Sequence, residues 1–267
     1  MARTTAIEDA RDAIAMAFVA ARREKRGLAE YPGTAPATLD EAYAIQARAI
    51  GFQDSAIGGW KVGRIAEPLI ARFGANRLAG PIFAGGIVDA TSDTAMPVFA
   101  DGFAAAEAEF LLRIGTAPDP SRRYTLEDAA ACIDAVHIGI EVASSPYPGI
   151  NADGPAVTVS DFGNNEGLVV GEAVAGWRGG GFLDWPIELR IDGRIAGQGI
   201  AADMLDGPFG AAAFLFNLAA ERGFALRPGQ WISSGAVTGV HEVVPGQTAI
   251  ARFGEDRFVK CAIRRAG

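Results

Sequence analysis

The sequence predicts an α+β protein, in which a helical N-terminal part over about residues 1–80 is followed by an antiparallel or mixed barrel over 81–267. Two observations predict it. Apolar residues recur at helical spacing in roughly the first fifty positions, whereas from about residue 95 onward strand-like runs broken by turn residues dominate, with only two helical stretches between them. So few helices between so many strands disfavour a doubly wound parallel sheet and favour an antiparallel or mixed barrel.

In chain order, Thr5-Ala-Ile-Glu8 has the capping-box pattern, and Ile7, Ala10, Ile14, Phe18 and Ala21 follow at helical spacing, predicting a helix over 5–25. The basic run Arg22-Arg-Glu-Lys-Arg26 falls at its end, where cations complement the helix dipole. A Pro- and Gly-containing loop follows, then Thr38-Leu-Asp-Glu41 opens a second helix that Gly51 can close. Gly58-Gly-Trp-Lys-Val-Gly63 reads as a short strand or turn entering a cleft, 68–79 as a short helix, and 81–89 as a loop running into a strand. Strands are expected at 103–114, 136–142, 167–170, 186–191, 194–199, 231–234, 247–253 and 257–263. Helices are expected at 125–135, capped by Thr125 with Asp128, and at 210–222, stopped by Gly223. Asp192-Gly193 between two such strands is a type I′ hairpin signal.

Composition narrows the function classes. Lys and Arg number 24 against 32 Asp and Glu, a net charge of −8, so no basic stripe is available to displace counterions from nucleic acid. The apolar stretch 14–21 follows acidic residues and is too short to span a bilayer, and it lacks the basic start of a signal peptide. The two cysteines, Cys132 and Cys261, are far apart in apolar contexts and read as free thiols of a reducing compartment. The expectation is a cytoplasmic protein with no nucleic-acid or membrane partner.

Three acidic residues stand in otherwise apolar strands. Alternation puts Glu107 and Glu109 on one face of their strand, with Ala108, Phe110 and Leu112 on the other. In the later strand His137, Gly139 and Glu141 share a face opposite Ile138, Ile140 and Val142. Three carboxylates brought together repel one another unless a cation neutralises them. An all-carboxylate set suits a hard divalent ion that keeps open positions, rather than zinc. Structural roles are expected for His137 and His241, with His137 a possible donor beside Glu141.

Several motifs share an order with a known family: Leu39-Asp-Glu-Ala-Tyr-Ala-Ile-Gln, Lys61-Val-Gly, Ala106-Glu-Ala-Glu-Phe, Ile140-Glu-Val, Ser160-Asp-Phe-Gly-Asn-Asn, and Ser233-Ser-Gly-Ala-Val-Thr-Gly-Val-His. By these the chain resembles the fumarylacetoacetase superfamily, within it the branch of 2-keto-4-pentenoate hydratases and 4-oxalocrotonate decarboxylases. The resemblance implies the β-roll of the fumarylacetoacetase C-terminal domain, homo-oligomeric assembly, and Mg²⁺ or Mn²⁺ held by Glu107, Glu109 and Glu141. It also implies Lys61 and Asp161 as catalytic groups and a substrate cleft with Asn164 or Asn165. Ser234, Gly235 and Thr238 offer hydroxyls and backbone amides suited to a substrate carboxylate.

Under this resemblance the metal takes a 2-oxo or 2-hydroxy dienoic acid by its carboxylate and 2-oxo oxygens, Lys61 moves protons, and Asp161 orients water or the enol hydroxyl. The leading expectation is a hydratase of 2-hydroxy-2,4-dienoates in aromatic-compound catabolism. The alternatives are a 4-oxalocrotonate-type decarboxylase and a non-catalytic assembly partner. The chain departs from the branch at Arg64-Ile-Ala-Glu-Pro68, where a small hydroxyl residue is common, and at Gly207-Pro208, where His-Pro is common. No histidine precedes His137, so the lid histidine of the hydrolase branch has no counterpart.

Overall fold

Residues 2–267 are described by a computed structural model, with the side chains of residues 1–7 outside the description. The first helix, α1, runs Ala2–Glu24, so the expected start at Thr5 lies inside the helix; the side chains of Thr5 and Ile7 lie outside the described residues. Helix α2 (Leu39–Gly51) is capped as expected, the Thr38 side chain accepting from the Glu41 amide at 3.2 Å, while the Glu41 carboxylate accepts from the Ala37 amide at 2.8 Å. Strand β1 (Ile57–Arg64) follows.

The expected helix over 68–79 is mostly wrong. Helix α3 spans only Leu69–Phe73 because Gly74 adopts a left-handed conformation at φ 66° that ends it. The chain then enters β2 (Arg77–Phe83), antiparallel to β1. Pro81 is tolerated there because β2 is an edge strand. Strands β3 (Ile87–Asp89), β4 (Ala95–Val98) and β5 (Phe103–Ile114) follow. Helix α4 (Leu126–Ala131) carries the complete Thr125–Asp128 capping box but stops before residue 135, because β6 (Ile133–Ser145) has already begun. Helix α5 (Pro155–Ser160) leads to β7 (Asn165–Ala173). Strands β8 (Ile187–Ile191) and β9 (Arg194–Gly199) form the expected hairpin, with positive φ at both turn residues, 50° at Asp192 and 78° at Gly193. Helix α6 (Gly207–Arg222) begins three residues early with Pro208 in its first turn and ends at Gly223, whose φ is 73°. Strands β10 (Trp231–Ser233), β11 (His241–Glu242), β12 (Thr248–Phe253) and β13 (Arg257–Arg265) complete the chain.

Two mixed sheets result. The larger has the order β2-β1-β10-β5-β6-β7-β3 with β11 also on β5, and the smaller has β4-β13-β12-β8-β9. The larger sheet curls until β2 touches β7. One face of its centre carries Ala108, Phe110, Leu112, Ile138, Ile140 and Val142, all fully buried against the second sheet and α6. Phe110 anchors this core, 4.7 Å from the ring of Phe182 and 5.4 Å from that of Phe253. The expected division at residue 80 falls inside β2, a strand of the larger sheet, so the helical part ends before Ile57. Helices α1 and α2 pack on each other through a separate cluster of Ile14, Phe18, Val19, Ile45 and Phe162. Among the described residues no helix is long and apolar enough to cross a membrane.

Candidate metal centre

The opposite face of the larger sheet holds the acidic residues. Antiparallel pairing of β5 with β6 sets Glu107 directly across from Glu141 and Glu109 across from Gly139. Directly opposed residues on one face have Cβ atoms about 4.5–5.5 Å apart, so Glu107 and Glu141 meet without distortion. Gly139 is required where it stands, since a Cβ there would lie 2.4 Å from Leu111 Cδ1 and 2.9 Å from the Val169 carbonyl oxygen. One carboxylate oxygen from each glutamate lies within 4.8 Å of the other two, and all three side chains are buried.

Lys61 reaches this cluster from β1. Parallel pairing of β1 with β10 places Lys61 beside Ser233, and Ser233 pairs in turn with Leu111 of β5, so lysine and glutamates share one face. The Lys61 ammonium lies 3.0 Å from Glu141 Oε1 and donates to Asn164 Oδ1 at 3.1 Å. Asn165 Nδ2 donates to Glu141 Oε1 at 2.8 Å. The Ser233 hydroxyl donates to Glu109 Oε2 and contacts Glu141 Oε2 at 3.2 Å, and the Gly235 amide donates to Glu109 Oε2 at 3.1 Å. Glu109 Oε1 is buried with no hydrogen-bond partner.

Electrostatics mark the site as incomplete. Burial, then the neighbouring Glu141, outweigh Lys61 and push the Glu107 carboxyl up to about 7. Glu109 is raised well above the usual carboxylate range by burial, Glu141 and Glu107. Burial alone would lower the Lys61 ammonium, but Glu141, Glu107 and Glu109 prevail and hold it raised. Three buried carboxylates against one ammonium, with one oxygen orphaned, fit a hard divalent cation: it would neutralise the excess charge and occupy Glu109 Oε1.

The cluster opens onto a cavity of about 670 Å³ whose lining includes Lys61, Glu107, Asn164, Thr158, Thr238 and Arg64. Two cavities of similar size beside α2 and α6 hold none of the carboxylates. Of the expected substrate contacts, Asn164 and Thr238 line the cleft, and the Thr238 hydroxyl has no partner. Asn165 and Gly235 are instead bonded to the glutamates. Ser234 is turned away: alternation points it opposite to Ser233, and its hydroxyl donates to the Phe110 carbonyl at 2.7 Å.

The role expected for Asp161 is not supported by its position. It is fully buried, outside the cleft lining, and both its oxygens are taken: Arg22 Nε donates to Oδ1 at 2.6 Å, while Arg22 Nη2 and the Ser145 hydroxyl donate to Oδ2 at 2.8 and 2.7 Å. Arg22 also donates to Glu166 at 2.9 Å, the Ser144 carbonyl at 3.0 Å and the Asn165 carbonyl at 3.2 Å. Only the packing of α1 against the β-roll separates Arg22 from the solvent-facing cations that follow it, so no local sequence signal marks it. Ser233 was legible in principle, because strand alternation sets it apart from Ser234. His137 Nδ1 donates to the Gly171 carbonyl at 2.8 Å and His241 Nε2 to the Thr238 carbonyl at 2.8 Å, so neither ring is bonded to the glutamates.

No protein-family model matches the chain. Part of the sequence, 126 residues, is 28% identical to a 4-oxalocrotonate decarboxylase of Pseudomonas putida; the match covers 47% of each chain, about half the length of that relative. The solved 4-oxalocrotonate decarboxylase from Pseudomonas putida G7, complexed with calcium and acetate, superposes with a TM-score of 0.77 over 96% of this chain and 97% of that one at 21% identity. The chain shares the fold of this decarboxylase over nearly its whole length. The same decarboxylase with magnesium and adipate gives a TM-score of 0.76 at 22% identity over 95% of this chain and 97% of that one. A more distant neighbour, the fumarylpyruvate hydrolase of Pseudomonas aeruginosa with Mn²⁺ and pyruvate, gives 0.55 at 16% identity over 80% of this chain and 94% of that one. These three solved neighbours carry divalent metals, and the α+β architecture with its curled mixed sheet is shared.

Proposed function

We propose that this chain is a divalent-metal-dependent lyase of unsaturated 2-oxo acids, and that loss of carbon dioxide from a vinylogous 2-oxo diacid describes its reaction better than addition of water to a 2-hydroxydienoate. The observation that carries the reading is the convergence of Glu107, Glu109 and Glu141 with Lys61 at the floor of an open cleft. When bound there, Mg²⁺ or Mn²⁺ would supply Lewis acidity toward the carboxylate and 2-oxo oxygens of the substrate head. The chain's own groups do the rest. Ser233 and the Gly235 amide aim Glu109, Asn165 aims Glu141, and Asn164 fixes Lys61. Loss of carbon dioxide leaves an electron pair that must take up a proton at carbon, and Lys61 Nζ is the donor beside the carboxylates. The Thr238 hydroxyl is available for a substrate oxygen.

Two observations favour decarboxylation. Two solved neighbours that match nearly the whole chain are structures of a 4-oxalocrotonate decarboxylase. Hydration needs a group to orient water, and Asp161, the residue assigned to that task, is engaged on both oxygens by Arg22 and Ser145.

The test is a panel of 2-hydroxydienoates and unsaturated 2-oxo diacids with and without Mg²⁺, followed by ultraviolet absorbance and product mass. Carbon dioxide release from the diacid, stopped by chelation, is the expected result. A product heavier by one water would restore the hydratase reading. No turnover of any substrate by protein that fails to bind Mg²⁺ in calorimetry would identify a non-catalytic assembly partner. Acylpyruvate cleavage to pyruvate and a carboxylic acid is not expected, since neither histidine lines the cleft.

A further inference from the structure

The cleft has a charged feature at its outer end that the chemistry at its floor does not use. Arg64 is the last residue of β1, three positions beyond Lys61, so alternation starts its side chain on the opposite face of the strand, across from Arg77, and its long stem reaches the cleft round the strand end. Strand rise sets the two Cα atoms about 10 Å apart. Arg64 lines the 670 Å³ cleft, and with Ala236 and Val237 it also lines an adjoining cavity of about 260 Å³, so it stands where the two meet. Its side chain is exposed, and among the described residues it has no ion pair or hydrogen bond. The other two cations at these cavities are engaged: Lys61 by Glu141, and Arg77 by Asp206 and the Leu205 carbonyl. In a chain of net charge −8, an unpaired guanidinium at the mouth of a cleft whose floor is three carboxylates is a place where a second anionic group on a ligand would be welcome.

We propose that Arg64 binds the distal carboxylate of the substrate, so that the cleft selects 2-oxo dicarboxylates over 2-oxo monocarboxylates of equal length. This rests on the reading of the cleft as a metal-dependent 2-oxo acid site and deepens it. The head of the molecule sits at Glu107, Glu109 and Glu141. The conjugated chain runs past Lys61 and Gly63 along β1, and the far carboxylate meets the guanidinium, whose planar fork matches a carboxylate better than an ammonium would. The arginine stem is flexible enough to fold over the cleft or into the adjoining cavity, which lets it follow ligands of slightly different length. Because Arg64 is exposed, its preference is set at about tenfold in affinity rather than the hundredfold of a desolvated pair.

The experiment measures binding of 2-oxoadipate and 2-oxohexanoate, which differ only in the distal group, to the native protein, Arg64→Met and Arg64→Lys in saturating Mg²⁺ by titration calorimetry. The native protein should prefer 2-oxoadipate by about tenfold. Arg64→Met should bring 2-oxoadipate down to the affinity of 2-oxohexanoate, and Arg64→Lys should restore part of the difference. Equal native affinities, or a preference that survives in Arg64→Met, overturns the role of Arg64 while leaving the 2-oxo acid site standing. Binding of neither acid by protein that does bind Mg²⁺ overturns the 2-oxo acid reading and this inference with it.

Discussion

Glu109 concentrates the physics of the site in one side chain. Both its oxygens are buried; one accepts from Ser233 and Gly235 and the other accepts from nothing. An unsatisfied buried charge is costly, and a bound cation removes that cost. Glu109→Gln should therefore abolish Mg²⁺ binding in calorimetry while leaving the metal-free protein at least as stable as the native one. The same reasoning fixes a pH dependence. The Glu107 carboxyl is raised by burial from 4.5 to about 7 in the folded chain, so the stability contributed by its neutral form is complete below pH 4.5 and lost as pH rises through about 7. The thermal midpoint in EDTA should fall over that window, and Mg²⁺ should flatten the profile; a midpoint that climbs with pH in EDTA would contradict the assignment. Lys61→Met removes the proton donor and should lower kcat by roughly 10²–10⁴ with Mg²⁺ binding retained. Near-native kcat would exclude Lys61 from the chemistry.

At the scale of elements, the largely buried Arg22 ties α1 to the β-roll through ion pairs. Arg22 ties Asp161, Glu166 and two backbone carbonyls together, and Asn164 and Asn165, in the same segment, hold Lys61 and Glu141. A helix far from the glutamates in sequence thus braces the loop that positions them. Arg22→Met leaves Asp161 buried without its partner and should cost roughly 3–5 kcal/mol in denaturant unfolding. Asp161→Asn combined with it should cost clearly less than the sum of the two single changes, because both remove the same pair. Additive losses would show that Arg22 and Asp161 act independently. The β8–β9 hairpin is a simpler case: Gly193 sits at φ 78°, and Gly193→Ala should cost about 1 kcal/mol, read as a lower thermal midpoint with the site unaffected.

For the whole molecule, the metal centre gathers groups from β1, β5, β6, the start of β7 and the end of β10, five stretches spread over most of the chain. The larger sheet presents its apolar face to the second sheet and its acidic face to the cleft, so core and site are two sides of the same strands. A cation bound at their centre stabilises the folded state only, by about 2.7 kcal/mol at a hundred times its Kd. For a protein of this size that corresponds to a rise in thermal midpoint of roughly 5–10 °C. The shift should appear with Mg²⁺ in the native protein and vanish in Glu109→Gln; an equal shift in both would place the bound ion elsewhere.

The sequence by itself determined the local rules. Strand alternation separated Glu107, Glu109 and Glu141 from the apolar residues beside them, turn chemistry located the Asp192-Gly193 hairpin, and Thr125 with Asp128 located the start of α4, because each depends on neighbours a few positions apart. Only the tertiary structure decided what depends on pairing across the chain. Register brought Glu141 opposite Glu107 and Ser233 beside Lys61. Pairing with β1 drew residues 77–79 out of an expected helix and into the sheet. The docking of α1 converted Arg22 from a helix-end cation into the partner of Asp161, which took that carboxylate out of the cleft, since a buried aspartate bound through both oxygens has none left for substrate or water.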